Sequence, residues 1–387
     1  MIIGTVTSAG YLPRAMIMAR SVKKHMPGSK VVVGIIEDKI PEPALRFPYF
    51  DEVILMKDIF RSSNSHKFFF QYTIQEAIRS CKAQVMRYIY NKYAAEKMMV
   101  YVEADMKLLS PLDELPAVLE KYPIVLTGHF IYPETLDPDH LEEVRKAGIH
   151  HSGFVALNRH PAAEKYLLWW SKLSDHHGYY DHEKNRFADQ DWLDISQHFF
   201  DNVYSLRHAG YTISSLNLLE RWNIDRVGED LHVINGQPLR CIQFSPQFLQ
   251  AASWIDPHKE QIYSDLYHQY MNEMKELERS NRHLSKWSYG FFSSREPISD
   301  ETKRIFLKNY YENPEIVNPF LLSNAYFNME SKRKSIDMIP IRARSEKIMP
   351  KQRRVIQAGK TKARRKKINA SRKKISASRK KRIRRNG

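Results

Sequence analysis

Along the first 246 residues, short continuous apolar runs alternate with stretches whose apolar positions recur every three or four residues. Residues 2–7 form the first run and close on the turn cluster Thr7-Ser8-Ala9-Gly10, the signature of a strand. The next stretch reads as a helix: Pro13 suits its first turn, Leu12, Ala15, Met16, Ala19, Val22 and Met26 share a face, and Pro27-Gly28 stops it. Val31–Ile36 is a second continuous run, ending in Glu37-Asp38. The pattern predicts further strands at Glu52–Met56, Met98–Val102, Ile124–Leu126 and Gly153–Leu157, and helices over Tyr72–Tyr93, Leu141–Ala147 and Ala162–Leu173. Continuous runs joined by helices mark a mainly parallel sheet flanked by helices, the α/β class.

From Asp256 the periodicity changes. Ile262, Leu266, Tyr270, Met274 and Leu277 step by three or four and predict one amphipathic helix. Lys286–Phe292 and Glu301–Tyr311 continue a small, mostly helical unit expected to pack on the sheet. The organisation expected is an α/β domain over 1–250, a helical C-terminal extension over 251–335 packed on it, and a disordered Lys/Arg-rich tail over 336–387.

Charge separates the tail from the body. The chain carries +17, yet positions 341–387 hold 21 Lys/Arg against the single acid Glu346, leaving 40 basic and 43 acidic residues before them. The body is thus slightly acidic, and the basicity belongs to the tail. Two cysteines, Cys81 and Cys241, make no disulfide framework and no zinc spacing. No apolar stretch approaches the roughly 20 residues of a bilayer span, and the N-terminus lacks a leader pattern, so a cytoplasmic, soluble body is expected.

The chemically informative stretch is Met98-Met-Val-Tyr-Val-Glu103-Ala-Asp105-Met-Lys-Leu-Leu-Ser-Pro-Leu112. Strand period two puts Glu103 and Asp105 on one face at the C-terminal end, where open α/β sheets bind ligands. Two hard oxygen donors there can hold Mg²⁺ or Mn²⁺ and, through it, a diphosphate; two exposed loop acids are the alternative. The histidines at 150–151 and 176–182 lie in Gly-, Asp- and Tyr-rich sequence without zinc spacing and read as solvated loop histidines.

Tyr101–Leu112 resembles the Y-L-D-x-D…P-L segment of bacterial nucleotide-sugar-dependent glycosyltransferases of the GT-A superfamily, in the branch that includes glycogenin and lipopolysaccharide galactosyltransferases. Further segments resemble that branch in order: Tyr11-Leu-Pro-Arg-Ala15, Glu76-Ala-Ile-Arg-Ser-Cys-Lys82, Leu126-Thr-Gly-His129, Gly148-Ile-His-His-Ser-Gly-Phe154, Ala188-Asp-Gln-Asp-Trp-Leu193, Tyr211–Arg221 and Cys241-Ile-Gln-Phe-Ser245. The resemblance covers roughly residues 1–320. It implies a metal-assisted, retaining transferase acting on a nucleotide-sugar donor and an unknown glycan, protein or polymer acceptor. Glu103, Asp105 and Gln243 would hold the divalent metal (Mn²⁺ or Mg²⁺). Thr7, Ser8, Tyr11 and Glu37 would meet the base and ribose. Lys82 would hold the sheet end or the diphosphate, unless it is a solvated helix lysine. His151, Ser152, Gly153, Asp191 and Asn217 fall at positions of the donor site. Asp189 would bind the sugar, or cap the following helix. Gln190 would face the anomeric carbon opposite the leaving group, and as a neutral amide it suits a front-face mechanism better than a nucleophilic one.

Four departures surround this site. Glu103 stands for the first Asp, Gln243 for the metal-binding His, His151 for the Asn of N-x-G-F, and Thr212 for the Asn after Tyr211. Two functions therefore stay open: an active transferase held in place by its tail, or a catalytically impaired homologue that serves as a polyanion-binding or structural protein. The tail repeats Ile368-Asn-Ala-Ser-Arg-Lys-Lys374 and Ile375-Ser-Ala-Ser-Arg-Lys-Lys381 resemble basic repeats of some bacterial spore-coat proteins, so a spore coat or another anionic surface is a candidate location.

A tail of net charge +20 without aromatic residues binds polyanions such as anionic polymer, acidic surface or RNA by charge alone. Titrating a labelled single-stranded oligonucleotide at several salt concentrations should give a log K against log salt slope of roughly −0.7 per phosphate neutralised. A chain ending near residue 340 should lose that binding; full retention by the shorter chain would refute the assignment.

Overall fold

Seven strands form the central sheet in the order β10-β6-β7-β4-β1-β2-β3. They are β1 (Ile2–Thr7), β2 (Lys30–Ile35), β3 (Glu52–Leu55), β4 (Met98–Val102), β6 (Ile124–Gly128), β7 (His150–Asn158) and β10 (Val203–Leu206). The computed structural model describes residues 1–60, 62–132, 142, 148–181, 186–228, 231–281 and 286–329. Pairing is parallel for β4-β1-β2-β3 and for β6-β10, whereas β7 runs antiparallel between β4 and β6. The expected mainly parallel α/β sheet is the one observed. The reversed β7 has a consequence for the site, because its beginning lies beside the end of β4.

The continuous apolar runs are explained by burial on both faces. Ile2, Val6, Val32 and Ile36 face one core, while Ile3, Val31, Val33 and Ile35 face the other. Helix α1 (Leu12–His25) covers the second face, with Leu12, Met16, Ala19 and Val22 turned inward at the predicted spacing. The first face is covered by α2 (Ser62–Gln71), α3 (Ile74–Ser80), α4 (Lys82–Lys92) and α5 (Pro161–His177). A single helix was expected over Tyr72–Tyr93; instead Thr73 opens α3 with a reciprocal capping box to Glu76, and the chain re-starts at Cys81 to make α4. Gly4 lets α4 approach β1 closely, since a Cβ there would stand 2.7 Å from Ile89 Cδ1.

Two small sheets complete the site end. β5 (Met106–Leu108) pairs antiparallel with β14 (Cys241–Gln243), and β11 (Ile224–Val227), β12 (Leu231–Ile234) and β13 (Gln237–Pro238) form a three-stranded ribbon. A two-residue ribbon, β8 (Tyr180–Asp181) with β9 (Arg186–Phe187), precedes α6 (Gln190–Phe199).

The predicted amphipathic helix is α7 (Pro257–Asn281), with Tyr263, Leu266, Tyr270 and Met274 buried over Ile213, Phe244 and Phe248. α8 (Asp300–Asn309) and the aromatic segment Trp287–Phe292 pack against Phe68, Phe69 and Phe70 of α2. Residues Met1–Phe327 form one compact unit and Asn328–Gly387 a second, of which only the first two residues are described. The expected tail, and all of the expected helix at 141–147 except Glu142, lie outside the described residues. Among the described residues no helix is long and apolar enough to cross a membrane.

Glu37, expected to accept from base or ribose, does something else. Its carboxylate is 3 % exposed and accepts from Ala9 N at 2.8 Å, Ser288 N at 2.8 Å and Ser288 Oγ at 2.5 Å. Trp287 Nε1 donates to Ile36 O beside it. The pair ties the C-terminal segment to the end of β2. Burial, against the Ser288 and Ala9 hydrogen bonds, raises the Glu37 pKa. Glu37→Ala should therefore lower stability by about 1–3 kcal/mol in chemical denaturation, with Glu37→Gln costing less and neither changing nucleotide affinity in the folded protein.

Candidate functional site

The site assembles at the C-terminal ends of β1 and β4, which are neighbours in the sheet. A cleft there of about 150 Å³ is lined by Thr7 and Tyr11 from the β1 side, Gln75, Ile78 and Arg79 from α3, Glu103 and Asp105 beyond β4, and Gln243. The register explains the company. Glu103 N donates to Gly153 O at 2.8 Å, which sets His151-Ser152-Gly153 of β7 alongside the carboxylates. Gln243 of β14 pairs with Met106 of β5, so its side chain reaches Asp105. Thr7, Tyr11, Glu103, Asp105 and Gln243 are thus brought together as expected.

Lys82 is the buried centre of the charge network. It has no exposed side-chain surface and lies 2.8 Å from Glu103 Oε2 and 3.1 Å from Asp189 Oδ2. It also donates to Ser152 O at 3.2 Å and Ser152 Oγ at 3.1 Å. The reading of Lys82 as a solvated helix lysine is overturned: at the start of α4 its ammonium is enclosed by Glu103, Asp189 and Ser152. Arg79, one turn earlier, stands 3.7 Å from Asp189 Oδ1 and 3.5 Å from Ser152 Oγ. Burial pulls its pKa down, but Tyr180, Asp189, Glu103 and Asp105 together raise it, so Arg79 is a fixed cation at the cleft wall.

Asp189 occupies the N-cap position of α6 and is fully buried, but its side chain makes no capping hydrogen bond. It faces Lys82 and Arg79, so it orients the two cations and does not make the expected cap. The residue before it, Ala188, holds φ +55°, a left-handed conformation uncommon outside glycine. Gln190 opens the helix with its amide nitrogen 3.0 Å from His129 Nε2, and its oxygen accepts from Ser152 Oγ at 3.5 Å. Asp191 lies half-buried in the same first turn.

His151 is buried, as is His150, so neither is the solvated loop histidine expected; both belong to β7. His150 binds Asp194 Oδ1 at 2.9 Å and Ser205 Oγ at 3.2 Å and locks β7 to α6 and β10. Of the other histidines named, His176 and His177 end α5, and His182 lies outside the described residues. His151 Nδ1 accepts from Gly153 N at 3.0 Å, and its Nε2 meets Gln243 Oε1 at 2.9 Å. Glycine at 153 permits this fold-back, because a Cβ would stand 2.7 Å from His151 Cε1. Burial holds His151 down to about 4. Ser8 is buried behind the cleft, and Thr7 Oγ1 donates to Ser8 O at 3.2 Å. Asn217 is wholly occupied: its amide donates to His129 O and Thr212 O and accepts from Ser214 N. It therefore positions His129 and offers no free group to a ligand.

Three lining or supporting residues were not singled out from the sequence: Arg79, Gln75 and His129. Arg79 and Lys82, at i and i+3 on a helical stretch, share a face, and that spacing was the available signal. His129 closes the segment Leu126-Thr-Gly-His129, but its role depends on where α6 begins.

Asp105 shows how a divalent metal suits the cleft. Burial first, and then Glu103, push its pKa up to about 6, against the pull of Gln243, Arg14 and Arg79. Two carboxylates crowded at one sheet end are a pair that a cation would relieve. Glu103 and Asp105 fit a hard divalent ion; no group of three or more His, Cys, Asp or Glu among the described residues does so.

A carboxyl whose pKa is higher folded than free binds more protons in the folded state, so its charge costs stability above about pH 6 and not below about pH 4. Asp105→Asn should thus raise metal-free stability at pH 8 by about 1–3 kcal/mol, a gain that fades by pH 4. Urea denaturation at both pH values checks it, and an equal gain at both would count against the crowded pair.

No protein-family model matches the sequence, and no curated protein is significantly similar to it. Solved structures of similar fold include the galactosyltransferase LgtC in complex with donor and acceptor sugar analogues, 13% identical over 70% of this chain and 96% of that one, TM-score 0.41. The glycosyltransferase GlyE of Streptococcus pneumoniae TIGR4 is 14% identical over 75% of this chain and 66% of that one, TM-score 0.41. Mouse xyloside xylosyltransferase 1 is 12% identical over 64% and 97%, TM-score 0.35. At these values the role of each residue rests on its own geometry.

Proposed function

We propose that the chain is a glycosyltransferase that moves a sugar from a nucleotide-diphosphate sugar to an acceptor. The observation that carries this reading is the convergence of Glu103, Asp105, Arg79 and Lys82 with Thr7 and Tyr11 at the C-terminal ends of two adjacent strands. A cleft of 150 Å³ is smaller than the roughly 300–1,000 Å³ of ligand pockets, so it suits the diphosphate, with base and sugar extending from it.

Breaking the sugar–phosphate bond builds negative charge on the leaving oxygen. A divalent ion held by Glu103 and Asp105 would supply Lewis-acid stabilisation of that charge. Arg79, whose guanidinium lines the cleft, adds a fixed cation at the same end. Lys82 is saturated by Glu103, Asp189 and Ser152, so it holds the carboxylates in place. Asp189 holds both cations. Gln190 contributes a neutral amide whose orientation His129 and Ser152 set; an amide is a poor nucleophile, which favours a front-face, retaining displacement in which the leaving phosphate oxygen takes the acceptor proton. The acceptor is a glycan, protein or polymer hydroxyl, and the basic tail would hold the enzyme at a polyanionic surface.

The full chain should be stabilised to heat by at least one of the UDP, GDP or dTDP sugars with Mg²⁺ or Mn²⁺, and should slowly hydrolyse that donor. Arg79→Ala should cut the hydrolysis by about 10²–10³-fold, the range for losing one donor to a developing anion. If no nucleotide sugar in the panel shifts the melting temperature, with or without metal, the transferase reading falls.

A further inference from the structure

The third potential metal ligand is bound to something else, and the hydrogen bonds state why. Gly153 N–H points at His151 Nδ1 at 3.0 Å, so that ring nitrogen carries no proton and Nε2 must carry it. The atom of Gln243 facing Nε2 at 2.9 Å is therefore the carbonyl oxygen Oε1. The amide nitrogen is left to donate to both Asp105 oxygens, at 3.0 and 3.2 Å. Rotating the amide by half a turn would set N–H against N–H at His151 and oxygen against oxygen at Asp105. Each contact is polar and part-buried, so the rotation would lose all three hydrogen bonds in a sheltered place. The chain Gly153–His151–Gln243–Asp105 thus presents its nitrogen, and not its oxygen, to the carboxylates.

We propose that Gln243 is a positioning residue, held outside the coordination sphere by His151, and that Glu103 and Asp105 alone supply protein ligands to a divalent ion that enters together with the donor diphosphate. The inference rests on the transferase reading and deepens it. Two carboxylates completed by substrate phosphates and water are the set that Mg²⁺ accepts, because it keeps part of its hydration and asks for oxygen. Without an imidazole the preference for Mn²⁺ over Mg²⁺ is small. Lys82 on Glu103 and Gln243 on Asp105 already occupy each carboxylate in the absence of nucleotide, which makes the ion alone a weak ligand.

Calorimetric titration of the full chain with Mg²⁺ and with Mn²⁺, each with and without UDP, GDP or dTDP, tests this. Ion and nucleotide should each bind at least about tenfold more tightly in the presence of the other, and Gln243→Leu, which frees Asp105, should not weaken ion binding. His151→Leu frees the Gln243 carbonyl and should tighten ion binding; it serves as the second variant if Gln243→Leu does not fold. Electron spin-echo spectra of bound Mn²⁺ should show no histidine nitrogen in the wild type and should show it in Gln243→His. A tenfold loss in Gln243→Leu, or unchanged or weaker binding in His151→Leu, overturns the proposal. Nucleotide binding that is indifferent to the ion also overturns it while leaving the transferase reading intact. Absence of all nucleotide diphosphate binding removes both.

Discussion

The ammonium of Lys82, taken out of water entirely, is the interaction around which the site is built. It lies between Glu103 beyond β4 and Asp189 at the start of α6, and also bonds Ser152 of β7. A buried charge is tolerated only when its partners are in place, and removing it would strand two carboxylates, at a cost of about 3–5 kcal/mol for breaking such a pair. Three separately folded elements are thereby obliged to meet at one point. The same network keeps Arg79 charged at the cleft wall and gives Asp189 its orientation, so the electrostatics of the site and the docking of α6 are one problem with one solution.

The reversal of β7 makes that solution possible. In an all-parallel sheet the strand beside β4 would end, like β4, in a loop at the site. Because β7 is antiparallel, the site receives the beginning of a strand, and His151, Ser152 and Gly153 arrive with their backbone already paired to β4. Ladder hydrogen bonds position them more rigidly than a loop would. At the neighbouring strand end, Glu37 and the Ile36 carbonyl hold Ser288 and Trp287, so the C-terminal segment braces the sheet next to the cleft without entering it.

Much of the fold was legible because burial on two faces leaves continuous apolar runs and burial on one leaves helical periodicity. The strands at 2–7, 98–102 and 124–128 and the long helix through Tyr263–Met274 follow from those patterns. Helix α2 was not read, since Phe68, Phe69 and Phe70 are consecutive and show no period; each finds a separate aromatic neighbour only in three dimensions. The break at Cys81 was hidden for the same reason, as nothing between Ile78 and Lys82 marks a helix end.

The candidate site divides along a similar line. That Glu103 and Asp105 share a face at a strand end is a property of strand period and chain order alone, and it needs no partner to be true. The class of the fold and the segregation of positive charge to the last 47 residues are equally local facts. What Glu37, Lys82, His151, Asp189 and Gln243 do was decided only by the tertiary structure. Each is a polar group whose role is set by which donor or acceptor lies opposite it, and those partners come from as far as 251 positions away. Hydrogen bonds and ion pairs act over about 3 Å, whereas sequence reports distance along the chain, and only folding converts one into the other.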